Sequence, residues 1–340
     1  MINALHLVIP NLLGPAWIQA GRLEPDAPAL LRLLNRADAQ NTAGQGVEEV
    51  LLRLFGVNSD GDWPVAAISR LGEDDIDPNQ VAEDWWIRAD PVHLQADLKQ
   101  VLLTDNNPDI ELEQAQTWVA ELNALYEDAD WRFESPHPNR WYLHLNDDPG
   151  LRTHPLSEMA GRNIAMRLPQ GPASPLWQAR LTEIQMLLHN SSLNEAREAQ
   201  GQLTINSVWF WGSGRLPQRT SHSITDVHAS DPLSCGLARW SGATLAPVPA
   251  NAGEWQATAN CGEHLVVLTT RLTELSDYTS LSWFEQLETL ERDWFVPCLS
   301  LLKTGLLKVL TLHLGNARIY AITRRSLRRF WRRTQPLAMH

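Results

Sequence analysis

Cysteine is scarce in this chain: there are three in 340 residues, and no two have C-x-x-C spacing. An odd number without paired spacing predicts neither a disulfide framework nor a zinc site. The N-terminal segment MINALHLVIP contains no basic residue, which predicts no signal peptide. The apolar run 299–314 is interrupted by Lys303 and Lys308 and is too short to span a bilayer. We therefore expect a cytoplasmic protein without a transmembrane segment.

Positive charge is also in short supply, because 28 Lys and Arg stand against 40 Asp and Glu and give a net charge of −12. Such a chain repels nucleic acid and anionic membranes over most of its surface, so no general polyanion-binding protein is expected. The exception is RRSLRRFWRR, Arg324–Arg333, whose arginines and apolar residues have the spacing of an amphipathic helix. Two interpretations stay open: the helix docks on the chain's own acidic surface, or it binds RNA, an acidic lipid surface or an acidic protein.

Tyrosine and phenylalanine are few, at 4 and 6, whereas tryptophan is abundant at 15. Because tryptophan buries a large area, these residues are expected to anchor the core. Hydrophobic residues make up 44% of the chain and charged residues 20%, which is ordinary for a folded protein. A chain of this length suits a large α/β domain that carries a smaller inserted one.

Local patterns predict elements of both kinds. The extended segment 85–92, the helix 112–125, the strand 140–145 and the helix 177–189 indicate an inserted α+β subdomain at 85–190. The core domain then consists of 1–84 and 191–340. Its predicted elements are a strand at 4–9, helices at 27–36, 47–55 and 283–295, buried strands at 208–211 and 264–269, and a hairpin of 307–314 and 317–323 that turns at Gly315-Asn316.

One stretch, LNEAREAQGQLTINSVWFWGSG at 193–214, gathers polar residues around an apolar strand. Asn194 and Arg197 lie one helical turn apart, and an arginine fork holds a phosphate or carboxylate in bidentate fashion. The alternative is structural: Arg197 pairs with Glu195 or Glu198, Asn194 caps the helix, and Asn206 fixes the turn before the strand.

This stretch resembles a signature of the archaeal-type 2,3-bisphosphoglycerate-independent phosphoglycerate mutases, in which N-x-x-R, G, N and W-x-W-G-x-G return the chain to the core after an inserted domain. WWIRADPV at 85–92 resembles the family's entry into that domain, and 153–171 and 231–250 are similar to further segments. The resemblance implies the alkaline phosphatase superfamily: an α/β fold with a central sheet flanked by helices and an inserted α+β subdomain.

The motif and the resemblance together indicate a ligand site for the acid end of a substrate. Arg88 occupies the place of an arginine that the family directs towards substrate; a salt bridge to Asp84 or Asp90 is the alternative. The ligand-binding residues expected on these grounds are Arg88, Asn194, Glu195, Arg197, Asn206 and Trp211.

The resemblance also implies two divalent metals, held by Asp and His, and a Ser or Thr nucleophile. Asn11 follows the first strand where the family has a metal-binding Asp, and Val47 takes the nucleophile's place, with Thr42 as an alternative alignment. The segment 271–293, where D-x-x-x-H is expected, contains no histidine. We therefore expect no catalytic residues and no metal cofactor.

Three functions follow from these observations. The first is a degenerate bacterial phosphoglycerate-mutase-like protein, non-catalytic or regulatory, with a small phosphorylated or carboxylated metabolite as its ligand. The second is an active phosphoglycerate mutase or other phosphotransferase with rearranged residues. The third is an adaptor that acts through its Arg-rich C-terminal helix on an acidic protein or nucleic acid.

Overall fold

The computed structural model describes residues 1–14, 25–41, 46–59, 61–74, 76, 78–96, 100–104, 108–159, 163–164, 167–268 and 280–340. Thr42, parts of the 153–171 segment and residues 269–279 lie outside these ranges.

Thirteen strands are found in the part of the chain that the structure describes. In chain order they are β1 (Ile2–Val8), β2 (Asp38–Asn41), β3 (Trp85–Val92), β4 (Leu94–Ala96), β5 (Val101–Leu103), β6 (Arg132–His137), β7 (Arg140–Leu145), β8 (Ser207–Gly214), β9 (Ile224–His228), β10 (Thr244–Ala246), β11 (Glu263–Val267), β12 (Leu307–His313) and β13 (Arg318–Thr323). The α-helices are α1 (Pro28–Arg36), α2 (Val47–Leu54), α3 (Val65–Gly72), α4 (Pro78–Glu83), α5 (Leu112–Leu125), α6 (Ser174–His189), α7 (Ser192–Ala199), α8 (Pro232–Ser241), α9 (Ala252–Thr258), α10 (Ser280–Leu290) and α11 (Val296–Thr304). None of these helices combines the length and the apolar character needed to cross a bilayer.

The chain divides into two units. The first combines Met1–Gly56 with Thr220–His340, and the second is Val57–Arg219. The second unit is wider than the subdomain expected at 85–190, because β8 pairs with β3 and α3 packs against both strands. An apolar pattern predicts a buried strand but does not say which sheet receives it; the sequence favours the core domain for β8, whereas β8 pairs with β3 in the second unit.

The first unit contains a seven-stranded sheet in the order β10-β9-β11-β1-β12-β13-β2. The five strands from β10 to β12 run parallel. Strand β13 is antiparallel to them, and β2, which pairs antiparallel with β13, runs in the same direction as the five. A core formed with residues of α1, α9, α10 and α11 covers one face. This arrangement confirms the expected α/β fold, in which a central sheet is flanked by helices.

The predicted hairpin at the end of this sheet is present. Strands β12 and β13 pair antiparallel, and Gly315 in the turn has a φ of 77°, a conformation that favours glycine. A Cβ on Gly315 would lie 3.3 Å from the main-chain nitrogen of Asn11, so this turn approaches the loop that follows β1.

The second unit contains a four-stranded antiparallel sheet in the order β6-β7-β3-β8, and a two-stranded sheet of β4 and β5. Helices α5 and α6 contribute to the core on this sheet, which holds Trp118, Trp141 and Trp177. Helix α5 has the predicted bounds; it buries Ala115, Trp118, Val119 and Leu122, whereas Leu112 and Leu125 at its two ends are exposed.

The glycines that follow Trp211 allow a close approach of backbone to backbone. Gly212 has a φ of 67°, and a Cβ there would lie 2.9 Å from Cβ of Val65. A Cβ on Gly214 would lie 2.7 Å from Cβ of Pro64. The W-x-W-G-x-G sequence thus lets the segment that begins α3 pack directly on β8.

The prediction of an Arg-rich C-terminal helix is wrong. Only a 3-10 turn, Ser326–Arg328, forms in 324–333. Arginines four residues apart repel one another in a helix. Thr323 and Ser326 also hydrogen-bond each other's main-chain NH groups through their hydroxyl oxygens, which competes with helical bonding.

Candidate functional site

Open parallel sheets bind ligands at the carboxyl ends of their strands. At the end of β1 the chain passes through Pro10 to Asn11, which is exposed and has a φ of 60°. Asparagine tolerates this left-handed conformation better than most residues. The position at which the resemblance places a metal-binding carboxylate therefore carries a neutral amide.

Val47 is the first residue of α2, after the extended Gly46. This is the helix start at which the resemblance places the nucleophile, and valine has no hydroxyl to attack phosphorus. Thr42, the alternative, lies outside the described residues, as does 269–279.

A row of three polar side chains crosses the same sheet: His313 is buried, and His6 and Glu263 are half-buried. This row was not identified from the sequence. Nδ1 of His6 lies 3.4 Å from Nε2 of His313, and Nε2 of His6 lies 3.7 Å from a carboxylate oxygen of Glu263. Burial, with a smaller contribution from His6, lowers the pKa of His313 to about 3, so this imidazole is neutral at pH 7. The available signal was that these histidines lie within apolar strands. Across the described part of the chain, no group of three His, Cys, Asp or Glu side chains is arranged to hold a metal.

In the 193–214 stretch, Asn194 lies within α7, not at its N-cap, and is 4% exposed. Its Nδ2 donates to the main-chain oxygens of Leu188 at 2.7 Å and Ile205 at 2.8 Å. Its Oδ1 accepts from the main-chain nitrogen of Ile205 at 2.9 Å. Asn194 therefore ties the end of α6 to the segment that enters β8.

Arg197 is 2% exposed and also binds main-chain groups. Its Nε donates to the oxygen of Leu203 at 2.8 Å, and its Nη1 donates to the oxygen of Asp109 at 2.8 Å and to Oε1 of Gln114 at 3.3 Å. The salt bridge to Glu195 or Glu198 weighed above is not among these contacts. Arg197 thus joins α7 to the segment that precedes α5.

The side chain of Asn206 hydrogen-bonds the main chain of Leu94 as a neighbouring strand would. Its Oδ1 accepts from the nitrogen of Leu94 at 2.7 Å, and its Nδ2 donates to the oxygen of Leu94 at 2.9 Å. Glu195, by contrast, is exposed on α7. Asn206 therefore fixes β4 beside the start of β8.

Arg88 and Trp211 lie opposite each other on β3 and β8 and share a buried carboxylate, Asp90. Oδ1 of Asp90 accepts from Nε of Arg88 at 3.0 Å and from its Nη2 at 2.7 Å, and Oδ2 accepts from Nε1 of Trp211 at 2.7 Å. The guanidinium also lies 5.1 Å from the Trp211 ring centroid. Burial alone would lower the pKa of Arg88, but Asp90, together with Tyr142 and Glu73, raises that pKa overall. The salt bridge to Asp90 weighed for Arg88 is therefore formed.

Further polar groups surround this pair. Tyr142 lies with its ring centroid 5.0 Å from the Arg88 guanidinium and donates from its hydroxyl to Oε1 of Glu73 at 2.9 Å. Arg140 donates to both oxygens of Glu73, at 2.8 and 3.0 Å. Burial alone would raise the pKa of Glu73, but these donors lower it overall. The result is a connected network of paired charges.

The six predicted ligand residues are thus divided between separate contacts in the second unit. Arg88 and Trp211 share Asp90, Asn194 and Arg197 bind the backbone around α7, Asn206 binds β4, and Glu195 is exposed. Their assignment to ligand binding stays a prediction.

An open cleft of about 390 Å³ lies beside the end of β8 in the same unit. Its lining includes Arg152, Arg215 and Asp62. Arg215 lies over the Trp85 ring, 5.7 Å from the centroid, and Asp62 accepts hydrogen bonds from the nitrogen and hydroxyl of Thr153. The cleft places two guanidinium groups next to the signature strand.

No family model matches this chain. A stretch of 89 residues is 28% identical to a probable 2,3-bisphosphoglycerate-independent phosphoglycerate mutase of Geobacter sulfurreducens, and the match spans 25% of this chain and 22% of that protein. The predicted resemblance to these mutases is confirmed over this stretch, which is about a fifth of the relative's length.

Two solved structures align with most of the chain. The PH0037 protein from Pyrococcus horikoshii has a TM-score of 0.54 at 12% identity, with 95% of this chain and 87% of that one covered. A cofactor-independent phosphoglycerate mutase from Thermoplasma acidophilum has a TM-score of 0.47 at 16% identity, with 94% and 90% covered. The Pyrococcus protein shares the α/β fold of this chain.

Proposed function

We propose that this chain is a phosphoglycerate-mutase-like protein that does not carry out two-metal phosphotransfer and has a non-catalytic, regulatory role. The observation that carries the proposal is the chemistry at two places in the first unit: Asn11 follows β1, and Val47 opens α2. A two-metal site needs carboxylates to hold the ions and a hydroxyl to attack. The residues present do not fit those ions.

The polar side chains within the same sheet support this proposal. His313 is held neutral by burial, and its Nε2 faces His6. The pair of His6 and His313 lies within the strands rather than in an exposed loop, as expected of side chains that pack on the sheet. The competing function, a phosphotransferase with rearranged residues, needs a nucleophile that these side chains do not supply.

The proposed ligand is a small phosphorylated or carboxylated metabolite, and the cleft beside β8 supports this part of the proposal. Arg152 is exposed there, and Arg215 is fixed by donation to the oxygen of Asn146 at 2.6 Å. Arginine forks bind phosphate and carboxylate groups in bidentate fashion. Arg88 and Arg197, by contrast, have donors that are already bound to groups of the chain. We place the protein in the cytoplasm, where its three free cysteines stay reduced.

Metal content tests the proposal. Protein purified without chelators is expected to contain far less than one equivalent of manganese, cobalt or zinc by mass spectrometry. One or more equivalents retained through gel filtration would contradict the proposal and favour the active phosphotransferase.

Ligand binding is tested separately by thermal shift with phosphate, 3-phosphoglycerate and citrate. We expect a ligand-dependent rise in Tm that is reduced in Arg215→Gln and unchanged in Arg132→Gln, a control on the exposed start of β6. The absence of any shift in the wild type would refute the metabolite part of the proposal.

A further inference from the structure

Positive charge is concentrated at one end of the sequence. Residues 294–340 contain nine Lys and Arg and no Asp or Glu, although the net charge of the whole chain is −12. Five of the six arginines in 324–333, called here the basic loop, are exposed; Arg329 is half-buried. The proposed regulatory function does not use this charge.

The basic loop is an ordered part of the first unit. Arg329 donates to both oxygens of Asp38 at the start of β2, at 2.5 and 2.9 Å. Arg36, the last residue of α1, donates to the main-chain oxygens of Phe330 and Arg332, each at 3.4 Å. Leu327 is buried in the core. Arg332 also donates to the main-chain oxygen of Ala37. These contacts hold the backbone of the loop, while Arg324, Arg325 and Arg328 stay exposed.

Two large rings project from this loop into solvent. Phe330 is 83% exposed and Trp331 is 68% exposed, and their rings meet edge to face with centroids 5.3 Å apart. Adjacent exposed aromatic residues are unusual unless they meet a partner. Arg324, Arg325 and Arg328 lie exposed on the same loop.

The neighbouring turn adds apolar and basic character. Arg324 lies beside Gly305, with its Nη1 3.5 Å from the position of a Cβ there. The next residue, Leu306, is exposed, as is Lys303 in the last turn of α11. An aliphatic side chain offers no face for stacking on a nucleobase but buries well among acyl chains.

We propose that the basic loop binds an anionic lipid surface, with Phe330 and Trp331 inserted at the headgroup level and the arginines over lipid phosphates. Aromatic rings prefer this interface, and clustered arginines are attracted to anionic headgroups. The loop follows the carboxyl end of β13 and is bound through Arg329 to Asp38 at the start of β2. Both points lie at the end of the strands opposite to the carboxyl end of β1. Lipid binding therefore leaves the loop after β1 free.

Co-sedimentation of the full chain with vesicles tests this proposal. We expect binding to phosphatidylcholine vesicles that contain about 30% phosphatidylserine, none to pure phosphatidylcholine, and weakening by salt. Replacing Arg324, Arg325 and Arg328 by Gln should lower the association constant about 100-fold, roughly fivefold for each charge. Phe330→Ser with Trp331→Ser should lower it more than tenfold. Arg132→Gln, in the second unit, should leave it unchanged.

Three outcomes would overturn the proposal. The first is no binding of the wild type to the anionic vesicles. The second is equal vesicle binding by the loop variants and the wild type at unchanged Tm. The third is that the wild type binds a fluorescent oligouridylate but not vesicles, and that the arginine substitutions abolish this oligouridylate binding. Because the substituted side chains are exposed, the variants are expected to keep the wild-type Tm within about 2 °C.

Discussion

Substitution of Arg197 by alanine separates a structural role from a ligand-binding one. The side chain makes two hydrogen bonds of 2.8 Å to main-chain oxygens, those of Leu203 and Asp109. A hydrogen bond from a charged donor contributes about 1.5–3 kcal/mol, and the substitution leaves both oxygens without this partner. We therefore expect a loss of about 3 kcal/mol in the free energy of unfolding. For a folded unit of this size, that loss corresponds to a fall in Tm of about 6 to 12 °C.

The assay is differential scanning fluorimetry of wild type, Arg197→Ala and Arg132→Ala, each with and without citrate and 3-phosphoglycerate. Arg132 belongs to the same unit but is exposed, so its substitution should change Tm by about 1 °C or less. The reasoning is refuted if Arg197→Ala melts like the Arg132 control, or if it abolishes a ligand-induced shift without lowering the Tm of the free protein.

Three further predictions concern other buried groups. Arg88→Met should cost about 3–5 kcal/mol by urea unfolding, because it leaves the buried carboxylate of Asp90 without its cationic partner, whereas adding Asp90→Leu should recover most of the loss; an additive double variant would contradict this. Gly212→Ala should destabilise more than Gly201→Ala, since both have positive φ but only Gly212 would press a Cβ against a neighbour; equal losses would show that packing there is not tight. The unfolded pKa of His313 is near 6.5 and burial lowers its folded pKa to about 3, so its stabilising contribution is complete above pH 6.5 and falls as the pH drops towards 3. Between pH 6.5 and about pH 5, the free energy of unfolding of the wild type should thus fall by about 2 kcal/mol more than that of His313→Gln in urea titrations. Equal losses in the two proteins would show that the pKa of His313 is not lowered by folding.

Elements whose signals are local were predictable from the sequence. Helix α5 and the hairpin of β12 and β13 rest on short-range periodicity and on a glycine turn, and both are present. The pairing of β8 was not predictable, because its apolar pattern fits either sheet. The Arg-rich helix failed for an electrostatic reason, since its spacing was amphipathic but brought like charges together at every turn.

The polar residues of the candidate site show a similar division. Sequence spacing correctly put Asn194 and Arg197 on one helix, and the salt bridge between Arg88 and Asp90 was one of two alternatives considered. What spacing does not reveal is whether a donor meets a ligand or a distant carbonyl group. Arg197 reaches the oxygen of Asp109, 88 positions away, and only the fold brings these groups together.

The proposed absence of two-metal phosphotransfer is tested most directly by turnover of 3-phosphoglycerate to 2-phosphoglycerate. The reaction of the full chain is followed by phosphorus NMR with added manganese, cobalt or zinc, beside a metal-dependent mutase as positive control. We predict no product above the protein-free blank. Turnover within a few orders of magnitude of the roughly 10 s⁻¹ that is usual for enzymes would contradict the claim.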